Sequence, residues 1–241
     1  FLLGWIADRL PHLVREIADR GHEVGAHGYD HRLVHELGPD AFRQDLRRTC
    51  GAIEGACGAA PRVYRAPSFS LTRDSLWALG ILAEEGFRVD SSVFPVRHDR
   101  YGIPDFPRDP FVLPEPNRRG LVEFPITTWR KLGINVPTGG GGWFRLLPAW
   151  IQRRGIEQAN RRGVPALFYV HPWELDPDQP RLHVGWRTRF RHYVGLDRTR
   201  TRLRGLLERY RFGTLGASVQ AYLASAGTDE PQPEAEAERI R

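Results

Sequence analysis

Three times between residues 11 and 92 the chain runs through one unit, a helical stretch closed by glycine and then a short apolar strand, and this leaves few architectures open. The first unit is "PHLVREIADRG", with Pro11 near the helix start and Gly21 at its stop, followed by "HEVGAH". The second places the helix "PDAFRQDLRRTCGAIEGACG" before the strand "RVYRAPS". The third places "TRDSLWALGILAEEG", with Thr72 as N-cap, before "FRVDSS". Strict alternation predicts an α/β fold with parallel strands, because a strand reaches a parallel neighbour only through a crossover, usually helical.

Residues 93–145 are rich in proline and glycine and read as long loops around one strand, "LVEFPITTW", and the run "TGGGGWF". That glycine run lacks the Lys and Ser/Thr of a phosphate-binding loop, so it reads as a close-packed or mobile loop near a ligand. A helix is expected over 146–162, then a buried strand in "VPALFYVHPWE", then helices over 198–211 and 216–225. The closing "TDEPQPEAEAERIR" has no apolar periodicity, and 226–241 are expected to form a disordered tail.

Composition narrows the function classes. The chain has 241 residues, of which 41% are hydrophobic, and its apolar runs fall short of the roughly 20 residues a spanning helix needs. Cys50 and Cys57, seven apart within one helical pattern, suit neither a disulfide scaffold nor a zinc knuckle and read as packing residues. The net charge of +6 is compatible with an anionic partner, but the basic residues are scattered instead of forming a stripe. A nucleic-acid-binding role is therefore not expected.

Chemistry collects at the strand ends: His27 and His31 after the first, Arg65 after the second, Asp90 after the third and His171 after the last. In barrels of parallel strands the carboxyl ends converge on one face. His27 and His31, four apart, both reach one ion if they open a helical turn, and neutral imidazole suits zinc, cobalt, nickel or iron. The same spacing serves surface or capping histidines, so spacing alone leaves both readings open. Gly28 stands where a protease zinc helix needs Glu, and His35 lies two turns beyond His27, past such an ion. His171, before Pro172, is expected at the barrel mouth as either a structural residue or an acid or base. Arg65, held between a strand and a proline turn, is aimed at a carboxylate or caps a helix. Asp90, before two serines, reads first as a residue bonding its own turn.

Taken in order, "HGYDH", "RAPSFS", "VDSS" and "HPWE" resemble the polysaccharide deacetylase family, the carbohydrate esterases with a NodB-homology domain. The match covers most of the chain, with residues 1–225 as the domain. Over about 93–225, "VFPVRHDRYGIPDFPR" and "GGGGWFRLLP" look like the C-terminal extension of the branch found beside bacterial exopolysaccharide and exosortase clusters. The resemblance implies a distorted (β/α) barrel of parallel strands and a divalent metal, zinc with cobalt or nickel as alternatives. It also implies removal of N-acetyl groups from a polysaccharide or lipid-linked oligosaccharide. By the same resemblance His27 and His31 match the metal pair, Arg65 orients a catalytic carboxylate and His171 is the general acid. Asp90 lies near the fourth motif as a further catalytic candidate, and Pro67, Ser68 and Trp173 are the substrate contacts. The implied partner is an N-acetylated glycan, and the implied setting is the cytoplasm or the periphery of a bacterial inner membrane.

One departure stands out. The family's first motif ends a strand in paired aspartates, which supply the catalytic base and the third metal ligand, and no Asp-Asp occurs in this sequence. The chain contains no Met, and "FLLGWIADRLPHLVREI" looks like the segment that follows that motif. The expectation is thus a barrel lacking its first strand, a fragment inactive by itself, with a catalytically inactive carbohydrate-binding member as the alternative.

Overall fold

The computed structural model describes residues 1–114 and 120–226. The chain divides into two compact units, one of residues 1–126 with 214–241 and one of residues 127–213.

In the first unit α1 (Gly4–Arg9) and α2 (Pro11–Asp19) are followed by the long α3 (Pro39–Cys57). Helix α3 buries Phe42, Leu46, Ile53 and Ala56, a stripe at helical spacing, and Gly58 ends it in the left-handed conformation at φ 80°. Phe42 meets Tyr64 and Trp77 edge to face, which locks the helix to the sheet. Strand β1 (Val63–Tyr64) leads to α4 (Trp77–Glu84), which is preceded by a 3-10 turn capped by Thr72 and Ser75 as the sequence predicts, and then to β2 (Val89–Asp90). Strands β3 (Phe111–Val112) and β4 (Val122–Glu123) complete a sheet ordered β1-β2-β4-β3, parallel except for β3 against β4. Cys50 and Cys57 are free thiols packed beside this core.

One row of pairing positions everything that matters for function. Leu2 bridges Ala26, Ala26 bridges Tyr64, Tyr64 pairs with Asp90 and Asp90 with Glu123, all in parallel. One residue further along each segment come His27, Arg65, Ser91 and Phe124. The alternation in the sequence is thus realised as parallel pairing, although each strand is held by only two residues.

In the second unit β5 (Thr128–Lys131) and β6 (Ile134–Pro137) form an antiparallel hairpin, turned by Leu132 and Gly133 at φ 48° and 78°. Helices α5 (Gly141–Leu146), α6 (Ala149–Asn160), α7 (Trp186–Tyr193) and α8 (Leu196–Arg209) follow, with Phe144, Ile156 and Leu206 at the centre. Helix α9 (Leu215–Ala226) returns to the first unit, where its Gly216 N–H donates to Glu23.

Four expectations are corrected here. The segment 93–145 is not one strand among loops; it holds β3 to β6 and α5. The helix expected over 146–162 is realised as α6 but is shorter, starting at Ala149 after Pro148 and ending at Asn160. The stretch 164–174 forms no buried strand: its one ladder contact is the bridge of Tyr169 to Gly140, and the Leu167 N–H is taken by the Thr127 hydroxyl at 2.7 Å. Residues 27–31 form no helical turn, since His31 sits at φ 61°. The glycine run is close-packed as expected: a Cβ at Gly140 would lie 1.9 Å from the Tyr169 carbonyl oxygen. The expected tail, apart from Ala226, lies outside the described residues.

Asp90 and Glu123, fully buried neighbours in the pairing row, form a carboxyl pair. Among the described residues no donor reaches Glu123 Oε2, and beside buried Asp90 the carboxyl is held toward its neutral form. Burial first, and the Asp90 charge second, push Glu123 well above the usual carboxylate range. Unfolded Glu123 releases its proton near the ordinary value while the folded residue keeps it. Its contribution to stability is therefore full below that value and declines as pH rises. Glu123→Gln should remove this decline, gaining on the wild type between pH 5 and 8 by at most about 1.4 kcal/mol per pH unit. Urea midpoints measured across that range check it; parallel curves for the two proteins would refute the protonated pair.

Candidate functional site

Arg65 is the junction of the first unit's strand ends. Its carbonyl oxygen lies 2.7 Å from His27 Nδ1, and a carbonyl only accepts, so Nδ1 bears the hydrogen and Nε2 keeps its lone pair. Its guanidinium donates to the Ser91 carbonyl and hydroxyl, each at 3.0 Å, and the Ser91 hydroxyl donates on to the Phe124 carbonyl. Ser92 accepts from the Ala66 N–H at 2.8 Å and donates to Asp90 at 2.6 Å. Asp90 therefore serves the turn after β2, as its position before two serines suggests, and is enclosed by it.

The loop carrying the histidines is shaped from below. Gly28 takes φ 75°, and a Cβ there would press on Asp45 and Pro67. The Tyr29 N–H donates to both Asp45 carboxylate oxygens at 3.1 Å, and its hydroxyl donates to Asp8 at 2.6 Å. The His27 and His31 rings come within 5.2 Å of each other, nearly perpendicular. Burial drives His27 down to about 3, with the His31 and Arg65 charges adding to the drop, so it is a neutral imidazole at ordinary pH. His35 is directed elsewhere, its Nδ1 lying 3.2 Å from the Ser70 carbonyl. Pro67 is buried and Ser68 exposed in the adjoining turn, where Ser68 and Phe69 both sit at φ 54°. Three non-glycine residues in the left-handed region within these two loops mark a place where backbone strain is held by its surroundings.

His27 and His31 thus offer two imidazole donors, the first with its ring orientation set by an outer hydrogen bond, which is how metal-ligating histidines are held. Among the described residues no group of three metal-ligating side chains occurs, so these two fit a metal as a partial set.

His171 and Trp173 lie in the second unit. His171 Nδ1 is 3.0 Å from Glu174 Oε2, and that oxygen also accepts the His171 backbone N–H at 2.8 Å. The other Glu174 oxygen accepts from Arg145 Nε at 2.7 Å; both side chains are almost wholly buried. Burial alone would raise Glu174, but the bonds to His171 and Arg145 outweigh it and hold the carboxyl below its usual range. Arg145 also donates to the carbonyls of Arg191, His192 and Val194 at the end of α7. His171, half exposed, is stacked beside Trp173, 5.7 Å between centroids. A buried carboxylate that fixes one imidazole nitrogen leaves the other to act as acid or base.

Sequence reasoning did not pick out Asp45, Glu123, Glu174 or Arg145. Glu174 carried a signal, three residues after His171 in "HPWE", the spacing of a capping box. Asp45 and Arg145 look like ordinary helix charges in sequence.

Residues 91–220 match the family described as a domain of unknown function, DUF3473, and residues 1–85 match the polysaccharide deacetylase family. The peptidoglycan-N-acetylglucosamine deacetylase of Bacillus cereus is 33% identical over 79 residues, 32% of this chain and 29% of that protein. A peptidoglycan deacetylase-like protein of Gibberella zeae is 28% identical over 93 residues, 39% of this chain and 27% of that one. The matched part thus spans less than a third of either curated relative. A crystal structure described as a candidate polysaccharide deacetylase from Mycobacterium smegmatis superposes with TM-score 0.60 at 21% identity, covering 97% of this chain and 75% of that one, which shows a shared fold of the NodB type.

Replacing Glu174 with Gln removes the charge opposite buried Arg145. It should cost about 3–5 kcal/mol, the effect of leaving one member of a buried ion pair unpartnered. It should also lower the fraction of His171 protonated on Nδ1. Urea unfolding reads the first and imidazole nitrogen chemical shifts the second; an unchanged tautomer would show that Glu174 does not orient the ring.

Proposed function

The chain belongs to the DUF3473 family and its residues 1–85 match the polysaccharide deacetylase family, and we propose that it acts as a metal-dependent hydrolase removing N-acetyl groups from a glycan. The observation that carries the proposal is the His27–His31 pair, with His27 neutral and its Nδ1 committed to the Arg65 carbonyl, so that Nε2 is the available donor. The substrate we assign is a polysaccharide or lipid-linked oligosaccharide of exopolysaccharide synthesis, an assignment resting on the motif resemblance. Zinc suits two imidazoles, with cobalt or nickel as alternatives. We also propose the cytoplasm or the periphery of a bacterial inner membrane as its setting.

When bound, a divalent ion supplies Lewis-acid polarisation of the amide carbonyl and a water of lowered pKa. The chain's own residues do the rest. His27 and His31 would hold the ion, and Arg65 fixes the first of them through its carbonyl while its guanidinium braces the Ser91 turn. Asp90, enclosed and bonded to Ser92, is a positioning residue of that turn. Pro67 and Ser68 form the strained turn assigned to substrate contact. In the second unit, the resemblance assigns a general-acid role to His171, whose Nδ1 is held by Glu174, and a sugar contact to Trp173 stacked beside it.

A second reading, a carbohydrate-binding member without turnover, is favoured by one observation: the sequence has no Asp-Asp pair, and no third ligand joins the two histidines among the described residues. Calorimetry with zinc should show binding by the wild type that is lost in His27→Ala with His31→Ala, while His171→Ala keeps it. Equal zinc affinity in wild type and double variant would remove the metal site. Acetate release from a chitin oligosaccharide, slowed about a hundredfold or more by His171→Ala, supports the hydrolase. Binding of that oligosaccharide without acetate release supports the second reading.

A further inference from the structure

Residues 181–190 of the second unit are all exposed, although they include Leu182, Val184, Trp186 and Phe190. Trp186 is 74% exposed, Leu182 62% and Phe190 54%, and no residue of α7 is buried. Single exposed apolar residues are ordinary, but four large ones within nine positions are not. On α7 the spacing of Trp186, Phe190 and Tyr193 puts the three rings on one face, with Arg187 and Arg189 on its flanks. With Arg181 and Val184 these rings line a shallow groove of about 510 Å³.

The face is rigidly presented. From inside the unit, Arg145 holds the carbonyls of Arg191, His192 and Val194, and His192 stacks on Trp173 at 4.2 Å. The Tyr193 hydroxyl accepts the Leu182 N–H at 2.8 Å and donates to the Pro180 carbonyl, tying the preceding segment to the helix. Helix α7 is thus anchored through its backbone, His192 and the Tyr193 hydroxyl, while Trp186 and Phe190 remain more than half exposed.

Charge narrows what would cover it. From residue 179 to residue 196 the chain has four arginines, Arg181, Arg187, Arg189 and Arg191, and no Asp or Glu. A second copy of this face, with its Arg181, Arg187 and Arg189, would bring six arginines together with no acid between residues 179 and 196 to balance them. A soluble polyanion would satisfy the arginines but offers nothing to Leu182 and Val184. An anionic lipid surface satisfies both, with headgroup phosphates for the guanidinium groups and hydrocarbon for the apolar side chains, and Trp and Tyr rings favour the boundary between the two. We propose that Leu182, Val184, Trp186 and Phe190, with Arg181, Arg187 and Arg189, form a docking face that seats the protein on an anionic lipid bilayer. Among the described residues no helix is long and apolar enough to cross a membrane. The docking face stands independently of the deacetylase reading.

The test is co-sedimentation of the full chain with vesicles of phosphatidylcholine alone and of phosphatidylcholine mixed with phosphatidylglycerol. The wild type should bind the mixed vesicles, bind the neutral ones weakly and lose affinity as salt is raised. Arg187→Gln with Arg189→Gln should weaken binding about fivefold per arginine. Trp186→Ser with Phe190→Ser should weaken it at least about tenfold, and Leu182→Ser with Val184→Ser gives an independent check off the helix. All these positions are exposed, so thermal melting should stay at the wild-type value. Failure of the wild type to bind mixed vesicles overturns the proposal, as does equal binding to both vesicle types. Loss in the arginine variant but not in either apolar variant would mean a purely electrostatic contact with polyanions, and the docking face would be wrong. A dimer in sedimentation velocity that the Trp186 and Phe190 variant dissolves would assign the face to a second copy instead.

Discussion

The parallel register linking Ala26, Tyr64, Asp90 and Glu123 is the constraint on which the first unit's chemistry rests. Because the four residues share one level, the next residue on each segment arrives at a common height, and Arg65 reaches two neighbours at once. Its carbonyl fixes the His27 ring and its guanidinium fixes the Ser91 turn. A slip of one residue in any strand would turn these side chains to the opposite face. Two-residue strands are a slender basis for that precision, and side-chain bonds from Ser91, Ser92 and Glu123 extend the ladder beyond them.

The helices and their ends were legible because caps and stops are local. Pro11, Thr72, Gly21 and Gly58 act on their own turn, and α2, α3 and the capped start of α4 follow. Strands depend on partners far along the chain, so "VPALFYVHPWE", apolar enough for a buried strand, pairs at Tyr169 alone. Helix α7, polar over most of its surface with exposed aromatics between arginines, offered no buried stripe to detect. Residues 93–145 hid β3 to β6 because their prolines and glycines punctuate very short elements.

The candidate site was legible in its donors and not in their supports. Strand-end position singled out His27, Arg65 and His171, and the structure places His27 and Arg65 side by side in the first unit. The route was partly mistaken, since the His27–His31 approach comes from a loop with left-handed residues and not from a helical turn. Asp45 under the loop and Arg145 behind Glu174 are tertiary facts: their partners are 16 and 29 residues away, beyond any periodic signal.

The left-handed backbone at His31 has a consequence for how this protein can change. An L-residue other than glycine, asparagine or aspartate pays roughly 1–2 kcal/mol in that conformation, so the fold would gain if glycine or asparagine replaced the histidine. A laboratory selection rewarding heat resistance alone would drift toward that exchange and discard an imidazole on the way. Keeping His31 therefore requires selection for what its ring does, and a ranking of variants by thermal tolerance would order this position backwards.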